Sequence, residues 1–413
     1  MPGWPGNSSI ARRAPPDPMT STFPSERSRA LAERVEAFVR STVLAYERDA
    51  RCGPHGPSDD LVRELRSRAR EAGVLTPHIL PDGSHLTQRE TAVVLRASGL
   101  SPLGPVAVNT MAPDEGNMLL LGRIGTPLQK ERFLAPLVRG EARSAFFMTE
   151  PAGQQGAGSD PSMLRTTATR EGGRWRISGR KMFITGAQGA TVGIVMARTG
   201  APEAGRATLF LTELPHPAVR IERIVDTIDS AMPGGHAQVL IDDLLLSDEH
   251  VLGEVDEGFR HAQVRLAPAR LSHCMRWLGA ATRAQEIATG YATTRSGFGK
   301  LLVDHEGVGF MLADNAIELQ QCALMIDWCA GVLDAGLPGT TESSMTKVAV
   351  SEALFRIADR CVQVMGGTGV ARDTVVEQVF RETRAFRIYD GPSEVHRWAL
   401  ARKIKRDALA LRA

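Results

Sequence analysis

The chain has 413 residues, enough for two or three domains with sizeable cores, and a formal net charge of only +2. Its basic and acidic residues are interspersed, which argues against a nucleic-acid binder with a clustered basic stripe. No apolar run reads as long enough to span a bilayer.

The first 24 residues are rich in Pro, Gly and Ser and lack an apolar segment, so they read as a disordered extension with Met19 as an alternative start. Residues 25–141 read as an N-terminal helical domain. Leu31, Val35, Phe38 and Val39 share one face of a first helix. Ser58 caps a second, with Asp59 and Asp60 placed favourably against the helix dipole. Gln88 to Ser98 and Ala112 to Leu121 are further helices, and Thr126-Pro127 opens a fifth with Pro at its first position.

From 142 to 250 short apolar runs alternate with turn signals: 175–178, 193–197, 208–212, 219–224 and 238–241. This predicts a central all-β domain, a barrel or sandwich. No strand leads into Gly-x-Gly-x-x-Gly, so a Rossmann nucleotide domain is disfavoured. From 251 to 413 the pattern is helical again. Val264, Ala267, Leu271, Cys274, Leu278 and Ala281 mark one helix face, and Leu312, Ala316, Leu319, Ala323, Ile326, Ala330 and Leu333 another. With helices over 347–364 and 393–405, a four-helix bundle is expected, and the fold class is α+β. Four of the five cysteines lie in helical patterns and none forms Cys-x-x-Cys, which supports neither disulfides nor zinc and suits a reducing cytoplasm. The histidines show no metal-ligand spacing.

The chemistry concentrates near the C-terminus. Gln363-x-x-Gly366-Gly367-x-Gly369 ends a helix on glycines. Arg387-x-Tyr389-Asp390-Gly391-Pro392-x-Glu394-Val395-His396 then holds a carboxylate on a tight turn before a new helix. Together they resemble the C-terminal signature of the acyl-CoA dehydrogenases. The Asp-Gly-Pro form is similar to the branch of vertebrate family members ten and eleven, with Asp390 where most of the family has a catalytic Glu. Helices, a β domain and a bundle are also the family's architecture.

The resemblance implies an FAD enzyme that desaturates an acyl thioester, with Asp390 removing the α-proton while a β-hydride passes to the flavin. It expects Asp390 to have a pKa raised by its dry pocket. Phe147-Met148-Thr149-Glu150-Pro151 and Gly156-Ala-Gly-Ser159-Asp160 resemble the family loop that meets the flavin. Met148, Thr149 and Ser159 are thereby implicated, Ser159 near substrate as well. Residues 152–155 read as an insertion, expected to be a mobile loop at the mouth of the site.

Lys181-Met-Phe183-Ile-Thr185 is similar to the family's Trp-Ile-Thr segment, which places Phe183 and Thr185 against the isoalloxazine. Arg295 and Phe298, in a segment similar to Arg-x-x-Phe-Gly-Lys-x-Leu, are implied to reach FAD held mainly by another subunit. Gln363, Gly366 and Gly367 complete that site, and Pro392 and Glu394 are implied to bind the cofactor as well. Arg270 matches a family Arg next to the catalytic turn and, with Gly391 and Ser159, is expected to face substrate. Ala269 occupies the position where some branches carry their base, which leaves Asp390. Arg381, Arg384 and Arg387 read as a solvated helix face, and His396 as structural or cofactor-facing.

The implied partners are an acyl-CoA or acyl-carrier thioester, an electron-transfer flavoprotein, and further copies of the chain in a dimer of dimers. A flavin oxidase or monooxygenase on the same fold, and a non-catalytic scaffold, are the alternative readings.

Overall fold

A computed structural model describes residues 25–80, 83–153, 157–201 and 205–411. The extension expected over 1–24, and Gln154 and Gln155 of the inserted loop, lie outside the described residues. The chain opens with helices α1 (Glu26–Ser41), α2 (Asp59–Glu71), α3 (Gln88–Ser98), α4 (Gly104–Ala107), α5 (Asp114–Ile124), α6 (Pro127–Gln129) and α7 (Ala135–Val138). A small hairpin, β1 (Cys52–Gly53) with β2 (Gly56–Pro57), separates α1 from α2. Ser58 accepts the Leu61 amide at 3.3 Å and starts α2, and Thr126 with Gln129 forms a capping box on α6. Between α6 and α7, Lys130–Leu134 forms a π turn just ahead of Pro136, whose missing N–H interrupts the α-helical ladder.

The strands are β3 (Ser144–Phe147), β4 (Thr167–Glu171), β5 (Arg174–Thr185), β6 (Val192–Arg198), β7 (Ala207–Glu213), β8 (Val219–Val225), β9 (His236–Ser247) and β10 (Val251–Leu252). They form one sheet in the order β10-β7-β6-β4-β5-β9-β8, with β3 added parallel to β6. Strands β6 and β7 are buried on both faces. Val192, Ile194, Met196, Leu209 and Leu211 pack on Leu120, Leu121 and Phe133 of the helical region. Val195, Ala197 and Phe210 face Trp175, Ile177 and Val239 inside the sheet's own core. Double burial is why both strands read as unbroken apolar runs. The expected runs lack β3, β4 and β10: β3 has only four residues, β4 is mostly exposed and β10 has only two residues.

The C-terminal part contains α8 (Gly258–Thr294), a hairpin of β11 (Ser296–Gly297) and β12 (Lys300–Leu301), α9 (Glu306–Asp334), α10 (Thr340–Met365), α11 (Gly367–Val370), α12 (Val376–Phe386) and α13 (Ser393–Ala410). Helix α10 is central and packs against α8, α9, α12 and α13. Thus α12 joins the expected bundle, and it carries Arg381 and Arg384. Arg381 is not a purely solvated residue: it pairs with Glu377 at 2.7 Å and holds the Ile228 carbonyl.

Helices α3 and α8 cross closely. A Cβ on Gly279 would fall 2.1 Å from the Arg96 carbonyl oxygen, so only glycine permits this approach. The crossing seats α8 on the N-terminal helices and brings its polar residues against α5. The expectation that no stretch is long and apolar enough to cross a membrane needs correcting for α9, which is so by length and composition alone. One side of α9 lies against α8 and α10, and its outer side exposes Phe310, Ile317, Leu324 and Trp328.

Candidate active site

The turn between α12 and α13 carries Asp390 and Gly391 at positive φ, 54° and 103°. For Asp390 this conformation is strained and must be held by its surroundings. Three side chains hold it, all through the backbone. Arg270 donates from Nε to the Asp390 carbonyl at 3.0 Å. His396 donates from Nε2 to the same carbonyl at 3.2 Å while its Nδ1 accepts from the Ser344 hydroxyl at 3.1 Å. Lys347 donates from Nζ to the Gly391 carbonyl at 2.8 Å. A Cβ on Gly391 would lie 2.6 Å from His396 Nε2, so the turn admits only glycine there.

With its backbone tied down, Asp390 presents its side chain to His273, whose Nε2 lies 3.4 Å from Oδ2. His273 packs against the rings of Tyr389 and Phe386, and the Tyr389 hydroxyl accepts from Trp277 Nε1 at 2.5 Å. Arg265, buried over the Phe146 ring, donates to Asn117 at 2.8 Å. Burial pushes the Asp390 carboxyl up, but His273, Arg265, Arg270 and Lys347 together hold it below the ordinary carboxylate value. His273 itself is driven down to about 3 by burial and by Arg276, so it is neutral at pH 7. At neutral pH the charged groups facing it are Arg265, Arg270 and Lys347. This corrects the expected upward shift: the site is dry, but it is also cationic. Ala269, at the rival base position, is buried beside Gly116 and carries no acid.

The second group of candidates gathers where β3 ends and β5 bends. Lys181 is fully buried and donates to the carbonyls of Met148 at 3.1 Å and Met196 at 2.8 Å, and to Glu150 at 3.2 Å. Burial draws its pKa down to about 8. Glu150 in turn accepts the amides of Ala157, Arg165 and Thr166 at 3.0, 2.9 and 2.8 Å, and the Thr166 hydroxyl at 2.6 Å. One buried ion pair thus ties the loop after β3 to the middle of β5. The Met182 amide donates to the Thr149 carbonyl at 2.9 Å and aligns Met148–Thr149 with the strand. Between Lys181 and Ile184 the register with β9 shifts. Phe183 sits in that bulge at φ 56° with 53% of its surface exposed. Two residues on, the Thr185 hydroxyl lies 2.9 Å from His236 Nδ1.

An exposed aromatic face, a hydroxyl beside it and the pinned Met148–Thr149 edge suit a flat heteroaromatic group such as a flavin ring. Ala152, Gly153 and Ser159 are exposed on the loop that Glu150 anchors. Arg295 and the fully exposed Phe298 lie at the β11–β12 hairpin, and Gln363, Gly366 and Gly367 are exposed at the end of α10. These five surface residues take no part in the two buried groups of the described chain. Pro392 is half-buried as the N-cap of α13, and Glu394, exposed, lies 3.9 Å from Arg397. Sequence reading assigned no role to His273, Lys347, Arg265 or the Glu150–Lys181 pair. His273 stands three residues after Arg270, on the same helix face, and that spacing was the available signal.

Residues 256–405 match the family model for the acyl-CoA dehydrogenase C-terminal domain, and residues 145–238 match the model for its middle domain. The chain is 32% identical to acyl-CoA dehydrogenase family member 11 of Gallus gallus over 92% of its own length, and spans about half (51%) of that relative. It is 34% identical to the Mycobacterium tuberculosis protein named a probable acyl-CoA dehydrogenase, FadE2, over 84% of this chain and 87% of that one. The structure of a Mycobacterium abscessus protein assigned to the acyl-CoA dehydrogenases superposes with a TM-score of 0.84 at 33% identity, covering 94% of this chain and 100% of that one. With sequence, fold and domain order in agreement, this chain belongs to the acyl-CoA dehydrogenase family.

Proposed function

We propose that the protein is an FAD-dependent acyl-CoA dehydrogenase that introduces a Cα–Cβ double bond into an acyl thioester. The observation that carries this reading is Asp390, an ionised carboxylate on a turn whose backbone is held by Arg270, Lys347 and His396. A base that takes a weakly acidic α-proton must be held within hydrogen-bond reach of it, and these contacts restrict Asp390 to one position. Asp is one methylene shorter than Glu, and the left-handed turn and Gly391 set how close substrate can come. Its low pKa keeps Asp390 unprotonated before substrate arrives. An apolar acyl chain entering the pocket displaces water and makes the carboxylate more basic at the moment of transfer.

Met148, Thr149, Phe183 and Thr185 would hold the flavin, which when bound supplies the acceptor for the β-hydride. Phe183 offers a flat apolar contact without the indole donor that a Trp would add. Arg295, Phe298, Gln363, Gly366 and Gly367 are exposed here, which suits a role in completing the cofactor site of another copy. A planar, permanently charged guanidinium such as that of Arg295 suits pyrophosphate oxygens. The apolar outer side of α9 supports association into a dimer of dimers. An electron-transfer flavoprotein is the proposed electron acceptor, and the cytoplasm the proposed setting. Anaerobic mixing of the flavin-loaded protein with a panel of acyl-CoAs tests the reading. Bleaching of the flavin by at least one of them is expected, and a flavin that none reduces would sink it.

A further inference from the structure

We propose that His273 is a positioning residue for the base: its ring backs the Asp390 carboxylate and fills the space that a longer acid would need. His273 acts through Asp390, so the inference rests on the reading of Asp390 as the base.

The contacts from Arg270, Lys347 and His396 all end on the carbonyls of Asp390 and Gly391. They fix where the Asp390 side chain starts and leave its carboxylate free to turn. The carboxylate meets His273, whose Nε2 lies 3.4 Å from Oδ2. At that separation the two side chains touch, wherever the imidazole proton sits. His273 follows Arg270 by three residues on α8, so one turn of helix presents both to the catalytic turn.

The ring is held from behind. Its centroid lies 4.9 Å from that of Tyr389 and 5.8 Å from that of Phe386, and those two rings are 5.3 Å apart. Tyr389 accepts from Trp277 Nε1, one turn further along α8. Phe386 ends α12, and Tyr389 immediately precedes Asp390. The wall is thus built from α8 and from the chain that carries the base, so the ring cannot swing away without disturbing the catalytic turn. The His273 side chain is 6% exposed and that of Asp390 is 22% exposed. The carboxylate is closed on the imidazole side and keeps an open side for a substrate carbon.

This geometry matches the wall to the length of the acid. An aspartate stops against the ring. One more methylene cannot lie back toward α8, so it drives the carboxyl into the open side, where the α-carbon has to sit. Proton transfer needs the base within hydrogen-bond reach of that carbon's proton, and a misplacement of about 1 Å costs about 10²-fold. Burial and Arg276 hold the His273 pKa near 3, so replacing this residue at neutral pH removes shape and not charge.

The test is a double-mutant cycle on the FAD-loaded protein, with the acyl-CoA that reduces the wild type fastest. Flavin reduction is followed anaerobically in the wild type, His273→Ala, Asp390→Glu and the double variant, up to saturating acyl-CoA. His273→Ala should slow reduction at saturation about tenfold and leave the acyl-CoA dissociation constant within about threefold, because position is lost and binding is not. Asp390→Glu should cost on the order of 10². The double variant should recover about tenfold over Asp390→Glu, because the longer acid gains the space that the ring gave up. A ring that only fills the core predicts no recovery, and a double variant no faster than Asp390→Glu overturns the proposal. The crystal structure of Asp390→Glu gives a second reading that needs neither turnover nor a variant of His273. It should show the imidazole in place between Tyr389 and Phe386 and the longer carboxyl turned to the open side. An imidazole displaced from those rings overturns the proposal, and this readout holds even where His273→Ala does not fold. A wild-type flavin that no acyl-CoA reduces overturns the functional reading and this inference with it. A reducible wild type whose double variant gains nothing over Asp390→Glu overturns this inference alone.

Discussion

Arg270 donates to the backbone carbonyl of Asp390 at 3.0 Å, so this cation holds the turn and not the carboxylate. Its charge still acts across the short distance to the side chain and helps to keep Asp390 ionised. Position and charge can be separated by substitution. Arg270→Lys keeps the charge and loses the fixed planar donor. It should slow flavin reduction by an acyl-CoA on the order of tenfold through lost positioning. Asp390→Asn, which keeps the shape and removes the base, should cost on the order of 10²–10⁴. Both proteins should remain yellow. Anaerobic stopped-flow absorbance measures both, and a wild-type rate in Asp390→Asn would place the base elsewhere, with Glu394 next to test.

The pH dependence has a definite sign. Asp390 is held below the ordinary carboxylate range. In the free enzyme the base is therefore already ionised through the neutral range. The second-order rate constant for flavin reduction, measured at low acyl-CoA, should be flat from about pH 6 to 8 and fall only in the acid range. A limb centred near neutrality would show that the cations do not outweigh burial.

Gly391→Ala brings a methyl group within 2.6 Å of His396 Nε2 and puts a β-carbon at φ 103°. The turn must then shift, and with it the hydrogen bonds from His396 and Arg270 to Asp390. Flavin reduction should fall at least tenfold, since small misplacements of a reacting group carry such costs. Thermal stability should drop modestly. Differential scanning calorimetry alongside stopped-flow kinetics checks both, and an unchanged rate would show that the turn relaxes freely.

The buried pair Lys181–Glu150 makes a stability prediction. Lys181→Met leaves Glu150 charged and enclosed, with hydrogen bonds from the loop but no counter-ion, and should destabilise by about 3–5 kcal/mol. Adding Glu150→Gln should recover much of that loss, because the uncompensated charge is gone. Urea titration followed by far-UV circular dichroism measures the three proteins. Equal stability of the single and double variants would mean that the pair is not coupled.

Glu382 supplies a pH-dependent term with the opposite sign to an ordinary paired acid. Burial raises its pKa to about 8 in the folded protein. The folded state therefore binds more protons than the unfolded one between about pH 4.5 and 8. Its contribution to stability falls as pH rises through that window. Glu382→Gln keeps an acceptor for the Ser230 amide and cannot ionise. Its melting temperature relative to wild type should rise by several degrees between pH 5 and pH 8.5. A constant difference across that range would contradict the shift.

Local chemistry was legible in the sequence. Ser58 and Thr126 cap helices as their residue types dictate, because a side-chain oxygen beside a free amide needs no distant partner. The strands β6 and β7 announced themselves by unbroken apolar runs, and the C-terminal helices by recurrence at steps of three and four. The pattern through Asp390, Gly391 and His396 identified the family.

What the sequence could not determine was which charges meet. Arg265 and Arg270 lie on α8, Lys347 on α10 and Asp390 on the turn before α13, and only the packing of those elements gathers cations around the carboxylate. Coulombic interaction depends on distance through space and on burial, and neither is a property of spacing along the chain. The same holds for Thr185 and His236, which the pairing of β5 with β9 brings together. Residue types and local spacing determined the elements and the family, and tertiary packing decided the electrostatics of the site.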